Sequence, residues 1–157
     1  MATLDQTDLR PGTPADLPAV SDVMAEAFDP LFGEAWTSAQ CMGMLSLPGV
    51  WLTLAYRDEA LVGFALARGI AGEGELLLLA VRPGWRGNGI GAALLRSVIA
   101  DAGLRGVDRI HLEVRAGNGA VRLYEAHDFE QVGERRQYYR GRDGRLHDAH
   151  SYARKIC

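Results

Sequence analysis

The spacing of hydrophobic residues changes period several times along the chain. Leu17, Val20, Val23, Met24 and Phe28 recur at helical intervals and give one apolar face. The helix opens at Thr13-Pro14-Ala15-Asp16, with Thr13 as N-cap, Pro14 at the first position and a carboxylate in the first turn. A short strand around residues 8–10 precedes it, and a second helix is expected over residues 36–45, with Thr37 or Ser38 as cap. Residues 50–56 are rich in β-formers; Arg57-Asp58-Glu59 is a turn, and residues 61–68 continue as the antiparallel partner. Residues 75–81 contain the apolar run Leu76-Leu77-Leu78-Leu79-Ala80-Val81, which reads as a central strand ending at Pro83-Gly84.

From Gly89 the period is helical again: Ile90, Leu94 and Val98 form a stripe from which Arg96 and Asp101 fall away. Residues 109–115 alternate, with Ile110, Leu112 and Val114 pointing one way and His111, Glu113 and Arg115 the other. A short helix over residues 118–127 and strands near 131–138 and 147–154 complete the order β-α-α-β-β-β-α-β-α-β-β. That order predicts an α/β fold built around one mixed sheet.

Composition narrows the class of protein. A length of 157 residues predicts a single domain, residues 1–157, large enough to bury its own core. A formal net charge of −3 argues against a nucleic-acid partner, which needs a dense basic footprint. The late cluster of Arg135, Arg136, Arg140, Arg142 and Arg145 reads as a solvated face. Two cysteines, Cys41 and Cys157, are too few for a disulfide framework and point to a reducing cytoplasm. No apolar run approaches the roughly 18 residues of a membrane helix. The opening six residues lack the basic and apolar regions of a secretory signal. A cytoplasmic protein without a membrane partner is expected.

The sharpest chemical feature is the run Arg86, Gly87, Asn88, Gly89, Ile90, Gly91, between the leucine-rich strand and an amphipathic helix. Its glycines let the backbone approach a ligand closely, and the free N–H groups of the following helix converge where the macrodipole favours an anion. Together they predict a pyrophosphate cradle. Gly87, Gly89 and Ala92 also fit a dinucleotide fingerprint. In that motif, however, the glycines follow the strand directly, whereas residues 82–86 intervene here. Asp108 moreover lies at the beginning of the next strand, not its end. No Gly-Lys-Ser/Thr is present, so a P-loop is excluded. Glu113 stands on the polar side of an otherwise apolar strand, a costly place for a carboxylate unless it is solvated or used. Its bland reading is an edge glutamate paired with Arg115 or His111. His147 and His150 fall on opposite faces of a strand, and His111 and His127 have no ligand-spaced partner, so no metal is expected.

The run over residues 86–91 resembles the Gln/Arg-x-x-Gly-x-Gly/Ala signature of the GNAT acetyltransferases, in the position where that superfamily carries it. The segment His111-Leu112-Glu113-Val114-Arg115-Ala116-Gly117-Asn118, followed by Leu123-Tyr124-Glu125 and Phe129, is similar to the Leu-Glu-Val-Arg…Asn…Leu-Tyr-Glu…Gly-Phe segment of RimI-type ribosomal-protein alanine N-acetyltransferases. The tail Arg135-Arg136-Gln137-Tyr138-Tyr139, then Asp143-Gly144-Arg145 and Asp148-Ala149, looks like that of the same group. Agreement is weaker around Ala27-Phe28 and Trp36.

The resemblance implies a GNAT fold: a mixed, mostly antiparallel sheet of about six to seven strands with about four helices. The strand over 78–82 would splay from that over 110–115, helped by a bulge. Acetyl-CoA is then the acyl donor. Arg86, Gly87, Asn88, Gly89, Ile90 and Gly91 would bind its pyrophosphate, the backbone of Leu79, Ala80 and Val81 its pantetheine, with Asn118 also on the donor side. Glu113 would be general base and Tyr124 general acid to the departing thiolate; the bland reading of Tyr124 is a core aromatic. Phe28, Trp36, Tyr138 and Tyr139 would line the acceptor channel, the two tyrosines being otherwise a hairpin pair. Neither cysteine is near the motifs, which favours direct attack in a ternary complex.

The acceptor implied is a protein or peptide N-terminal α-amine, with a small amine as the alternative on the same fold and a non-catalytic acyl-CoA-binding module as the rival class. An α-amine with pKa about 7.7–8.0 is roughly a tenth neutral at pH 7, whereas a lysine is neutral about once in 2,500 molecules, so one modest base serves the former. Three departures from the pattern stand out. Asn118 to Tyr124 is one residue shorter, Asp128 replaces the glycine at an expected left-handed helix stop, and the stretch over 29–35 is longer.

Overall fold

The computed structural model describes residues 6–156; Cys157 and the opening residues 1–5, read above for redox setting and signal, lie outside the described residues. Seven strands form one sheet: β1 (Asp8–Pro11), β2 (Val50–Arg57), β3 (Ala60–Ile70), β4 (Glu73–Val81), β5 (Arg109–Arg115), β6 (Glu130–Arg140) and β7 (Leu146–Lys155). Their spatial order is β1-β2-β3-β4-β5-β7-β6. The β4–β5 pair is parallel and the other pairs are antiparallel. Helices α1 (Leu17–Ala27) and α2 (Ser38–Leu45) cover one face; α3 (Ile90–Leu104) and α4 (Val121–Ala126) cover the other. The element order is the one the hydrophobic pattern predicts. Among the described residues no helix is long and apolar enough to cross a membrane.

Local chemistry sets the boundaries. The β2–β3 turn places Asp58 at φ 50° and Glu59 at φ 63°, and the β3–β4 turn places Ala71 at φ 53° and Gly72 at φ 83°. Consecutive left-handed residues match the twist of a hairpin, so both strand pairs run further toward their turns than residue propensity foretells. The first helix begins with a 3-10 turn, Pro14–Asp16, in which the Asp16 carboxylate accepts the Thr13 backbone N–H at 2.8 Å. The second is capped by Thr37: its hydroxyl accepts the Gln40 N–H, and the Gln40 side chain accepts the Thr37 N–H, a reciprocal box that leaves Trp36 outside the helix.

The sheet separates two apolar clusters. Ile110, Leu112 and Val114 of β5 pack with Ile90, Leu94 and Val98 of α3. Leu17, Val20, Val23 and Met24 of α1 pack on Phe64 and Leu66 of β3. Strand β4 serves both sides, and its alternation is broken. Leu76 faces the α3 cluster, but Leu78 and Ala80 face the α1 cluster. The β3–β4 register explains this: Leu66 pairs with Leu78 and Ala67 with Leu76, so Leu77 is an extra residue on β4. Such a bulge reverses the facing of every later side chain and bends the strand.

Helix α4 is shorter than the expected 118–127. Its end is a Schellman stop: the Phe129 N–H reaches the Tyr124 carbonyl at 3.1 Å and the Asp128 N–H reaches the Glu125 carbonyl at 3.2 Å. Asp128 has φ 66°, the left-handed position foreseen for it. The Tyr124 and Phe129 rings meet edge to face at 5.9 Å, the apolar contact that accompanies this motif.

Candidate active site

Strands β4 and β5 are paired only from Glu73 with Arg109 to Leu76 with Leu112. Beyond that point, one residue before the bulge, they part. The gap opens into a cavity of about 640 Å³, which runs from the start of α3, between β4 and β5, to the loop after α1 and the tail of β6. Leu79, Ala80 and Val81 form one side and Glu113 and Arg115 the other.

At one end lies the glycine-rich run. Gly87 and Gly89 have φ 83° and 75°, and a Cβ built on either meets no atom within 4 Å: it would project into open space. The first intrahelical bond joins the Ala93 N–H to the Gly89 carbonyl at 3.0 Å. The N–H groups of Ile90, Gly91 and Ala92 precede it and are the orphan donors of a helix N-terminus. A diphosphate fits these donors, and an extended chain fits the unpaired edges of β4 and β5, so the residues present suit a CoA thioester. Arg86 turns its guanidinium to the Ala27 carbonyl at 2.8 Å, tying this loop to the end of α1. Asn88 does not line the cavity; its amide folds back to the Trp85 carbonyl at 3.0 Å.

Midway along the cavity stands Glu113, with its side chain 20% exposed. Its partners are neither Arg115 nor His111. Oε2 accepts the Ser151 hydroxyl at 2.6 Å, and Oε1 faces the Arg135 guanidinium at 3.2 Å. Arg115 is taken by Glu34 and His111 by Glu73. Tyr124 reaches the same cavity from α4 and is 6% exposed. Its ring also belongs to the core, which is the bland reading of this residue. Burial, then the negative charge of Glu34, pushes its phenol well above the ordinary value. The Tyr139 phenol is pushed up by burial first and then by Glu34, with Tyr138, Glu113 and Tyr124 adding. Its hydroxyl donates to the Glu113 backbone carbonyl at 3.3 Å.

Of the four aromatic residues expected at an acceptor channel, two face the cavity. Phe28 and Tyr139 line the cavity; Trp36 and Tyr138 do not. Trp36 packs against the α1 cluster, and its backbone N–H points to the Met24 sulfur at 3.0 Å. Tyr138 is half exposed and meets Tyr139 edge to face at 4.9 Å. Gln137, at φ 55°, interrupts the β6–β7 register between Arg135 and Tyr139, which separates the environments of the two adjacent tyrosines.

The loop over 29–35 supplies what the sequence leaves hidden. Phe32 and Glu34 line the cavity, and Arg115 lies 3.7 Å over the Phe32 ring. The loop is clamped to the β6–β7 turn. The Arg142 N–H bonds the Pro30 carbonyl at 2.9 Å, and His147 bonds the Leu31 carbonyl at 3.1 Å. Gly33, at φ 69°, lies so close that a Cβ would stand 1.9 Å from the Arg140 carbonyl oxygen. Cys41 is buried in the α1 cluster, and burial pushes its thiol up, away from nucleophilic use. Among the described residues no three or more His, Cys, Asp or Glu side chains gather as a metal site.

This parted pair beside a glycine-entered helix has a match among known families. Residues 17–129 match the model of the acetyltransferase (GNAT) family. The chain belongs to the GNAT acetyltransferase family. Relatives of this GNAT chain include the [ribosomal protein bS18]-alanine N-acetyltransferase of Escherichia coli (strain K12), 40% identical over 90 residues, which are 57% of this chain and 61% of that protein. The match thus spans about three fifths of that relative's length. The N-alpha-acetyltransferase RimI of Mycobacterium tuberculosis is 35% identical over 133 residues, 82% of this chain and 81% of that protein. Among solved structures, the E. coli ribosomal-protein-S18-alanine N-acetyltransferase superposes with a TM-score of 0.84 at 28% identity, covering 96% of this chain and 94% of that one. The family match ends at Phe129, so the β6–β7 hairpin that carries Tyr139 and Ser151 lies beyond it.

Proposed function

We propose that this chain transfers an acetyl group from acetyl-CoA to a primary amine, the N-terminal α-amine of a peptide or protein. A ribosomal-protein alanine is the favoured acceptor, after the activity named for its relatives. With such an acceptor the reaction is a cytoplasmic one. One observation carries the reading: the gap beyond Leu76 and Leu112 is continuous with the glycine cradle, and Glu113 and Tyr124 open onto that same space.

When bound, acetyl-CoA supplies a thioester open to attack by a neutral amine. The chain's residues do the rest. The N–H groups of Ile90, Gly91 and Ala92 hold the diphosphate, and the free backbone edge of Leu79, Ala80 and Val81 orients the chain that follows it. Glu113 accepts the proton of the acceptor ammonium, directly or through one water. Tyr124, buried and kept protonated, gives its Oη proton to the departing sulfur and is restored by the second proton, which the nitrogen sheds as it becomes an amide. Phe28, Phe32 and Tyr139 shape the acceptor side and exclude water. The assignment of Glu113 and Tyr124 to these tasks is supported by their placement and by the family motif.

Two variants and an acceptor panel test the reading. Gly89→Val puts a β-branched residue at positive φ and fills the cradle, so thermal stabilisation by acetyl-CoA should vanish. Glu113→Gln should lower kcat by about 100-fold or more while acetyl-CoA affinity stays within about twofold. Turnover of small amines but of no N-terminal peptide would end the peptide-acceptor assignment.

A further inference from the structure

Glu34 belongs to no helix or strand, yet its carboxylate is 10% exposed. Both oxygens are engaged. Oε1 accepts from Arg115 Nε at 3.1 Å, and Oε2 accepts from Asn118 Nδ2 at 2.7 Å. Asn118 passes the constraint on: its Oδ1 accepts the Ala120 N–H at 2.9 Å, at the entry to α4, which carries Tyr124. On its other side the loop is bonded to the β6–β7 hairpin through Pro30 and Leu31, and Gly33 packs closely against Arg140. Glu34 therefore stands where the loop of the acceptor wall grips the helix of the tyrosine. Its charge also faces Tyr124 and Tyr139 across the cavity.

We propose that Glu34 is a positioning residue: by holding Asn118 and Arg115 together, it fixes the Tyr124 ring relative to the acceptor wall. The kinetic part of this proposal rests on the reading of Tyr124 as proton donor. The role of Asn118 then differs from a simple donor-side contact. It is a relay between a loop and a helix that the sequence separates by 84 residues.

A double-mutant cycle of Glu34→Ala with Tyr124→Phe tests it, using acetyl-CoA and an N-terminal alanine peptide. Glu34→Ala should lower kcat at least tenfold, with the KM for acetyl-CoA within twofold. Glu34→Gln, which keeps the size of the side chain and one acceptor, should recover part of that loss. In the Tyr124→Phe background, Glu34→Ala should cost less than twofold more, because its effect passes through the same ring. Without any substrate, NMR of ¹³Cζ-labelled tyrosine should show the Tyr124 resonance displaced in Asn118→Ala, which breaks the link to α4 and leaves the Glu34 charge in place, while that of Tyr56 stays unmoved. Full additivity in the cycle, or an unmoved Tyr124 resonance, overturns the proposal. Wild-type turnover in Tyr124→Phe alone sinks the proton-donor reading instead, and the resonance then decides the positioning role by itself.

Discussion

Ser151 and Glu113 are direct partners in the β5–β7 ladder, and the Ser151 hydroxyl reaches Glu113 Oε2 at 2.6 Å. The second carboxylate oxygen faces Arg135, whose side chain is 61% exposed on the edge strand. A hydrogen bond to an ionised, shielded oxygen is worth about 1.5–3 kcal/mol, whereas an exposed ion pair is worth about 0–1 kcal/mol. Ser151→Ala should therefore lower kcat/KM for a peptide acceptor by about tenfold, and Arg135→Ala by no more than about threefold. Steady-state kinetics decides the matter, and equal losses would contradict the asymmetry.

The raised phenols of Tyr124 and Tyr139 tie stability to alkaline pH. In the unfolded chain a tyrosine loses its proton near pH 10; in the folded protein burial and Glu34 keep it bound to higher pH. Above about pH 10 the unfolded state therefore binds fewer protons than the folded one, and stability falls as pH rises. Tyr139→Phe removes one such group, so its Tm should drop less between pH 9 and pH 11 than that of the wild type. A parallel decline in both proteins would count against the buried phenol as the cause.

Gly33 tests the clamp on the loop over 29–35. A methyl group there would overlap the Arg140 carbonyl and sit at φ 69°, so Gly33→Ala must displace the loop. The expected cost is about 1–3 kcal/mol of stability. The KM for the acceptor should rise several-fold while acetyl-CoA affinity is unchanged, because the glycine cradle lies at the other end of the cavity. Loss of acetyl-CoA binding in a folded Gly33→Ala protein would show that the two ends are not separable.

Asp128 offers a stabilising change. It holds the left-handed position of the Schellman stop, at φ 66°, at a cost of up to about 1–2 kcal/mol that glycine does not bear. Asp128→Gly should raise thermal stability by up to about 1 kcal/mol without altering turnover, as measured by calorimetry and initial rates.

Much of the fold is legible in the chain because its signals are local. Ile110, Leu112 and Val114 alternate, Ile90, Leu94 and Val98 repeat by fours, and the observed elements follow both patterns. The bulge at Leu77 is not legible. Within an unbroken apolar run every residue suits either face, and only the cross-strand register shows which one is extra. The glycine run at the entry to α3 is legible because it is made of consecutive residues. Glu34 is not: a lone acid between a glycine and an alanine reads as solvated, and what buries it are Arg115 and Asn118, brought to it by tertiary folding. Trp36 and Tyr138 mark the same boundary. Residue type makes each a fair channel lining, but the Thr37 cap and the left-handed Gln137 give them other surroundings.

Four residue pairs weld the two halves of the sheet at the β4–β5 seam, and nothing in the ladder ties the strands further along. The seam therefore works as a lever. From Leu76 to Val81 is about 16 Å of strand, so a turn of one half by about 5° about the weld would shift the far end by roughly 1.4 Å. Fractions of an ångström in packing near Gly74 and Ile110 would thereby be magnified at Val81, on the side of the glycine run, while Glu113, one residue past the weld, would move far less.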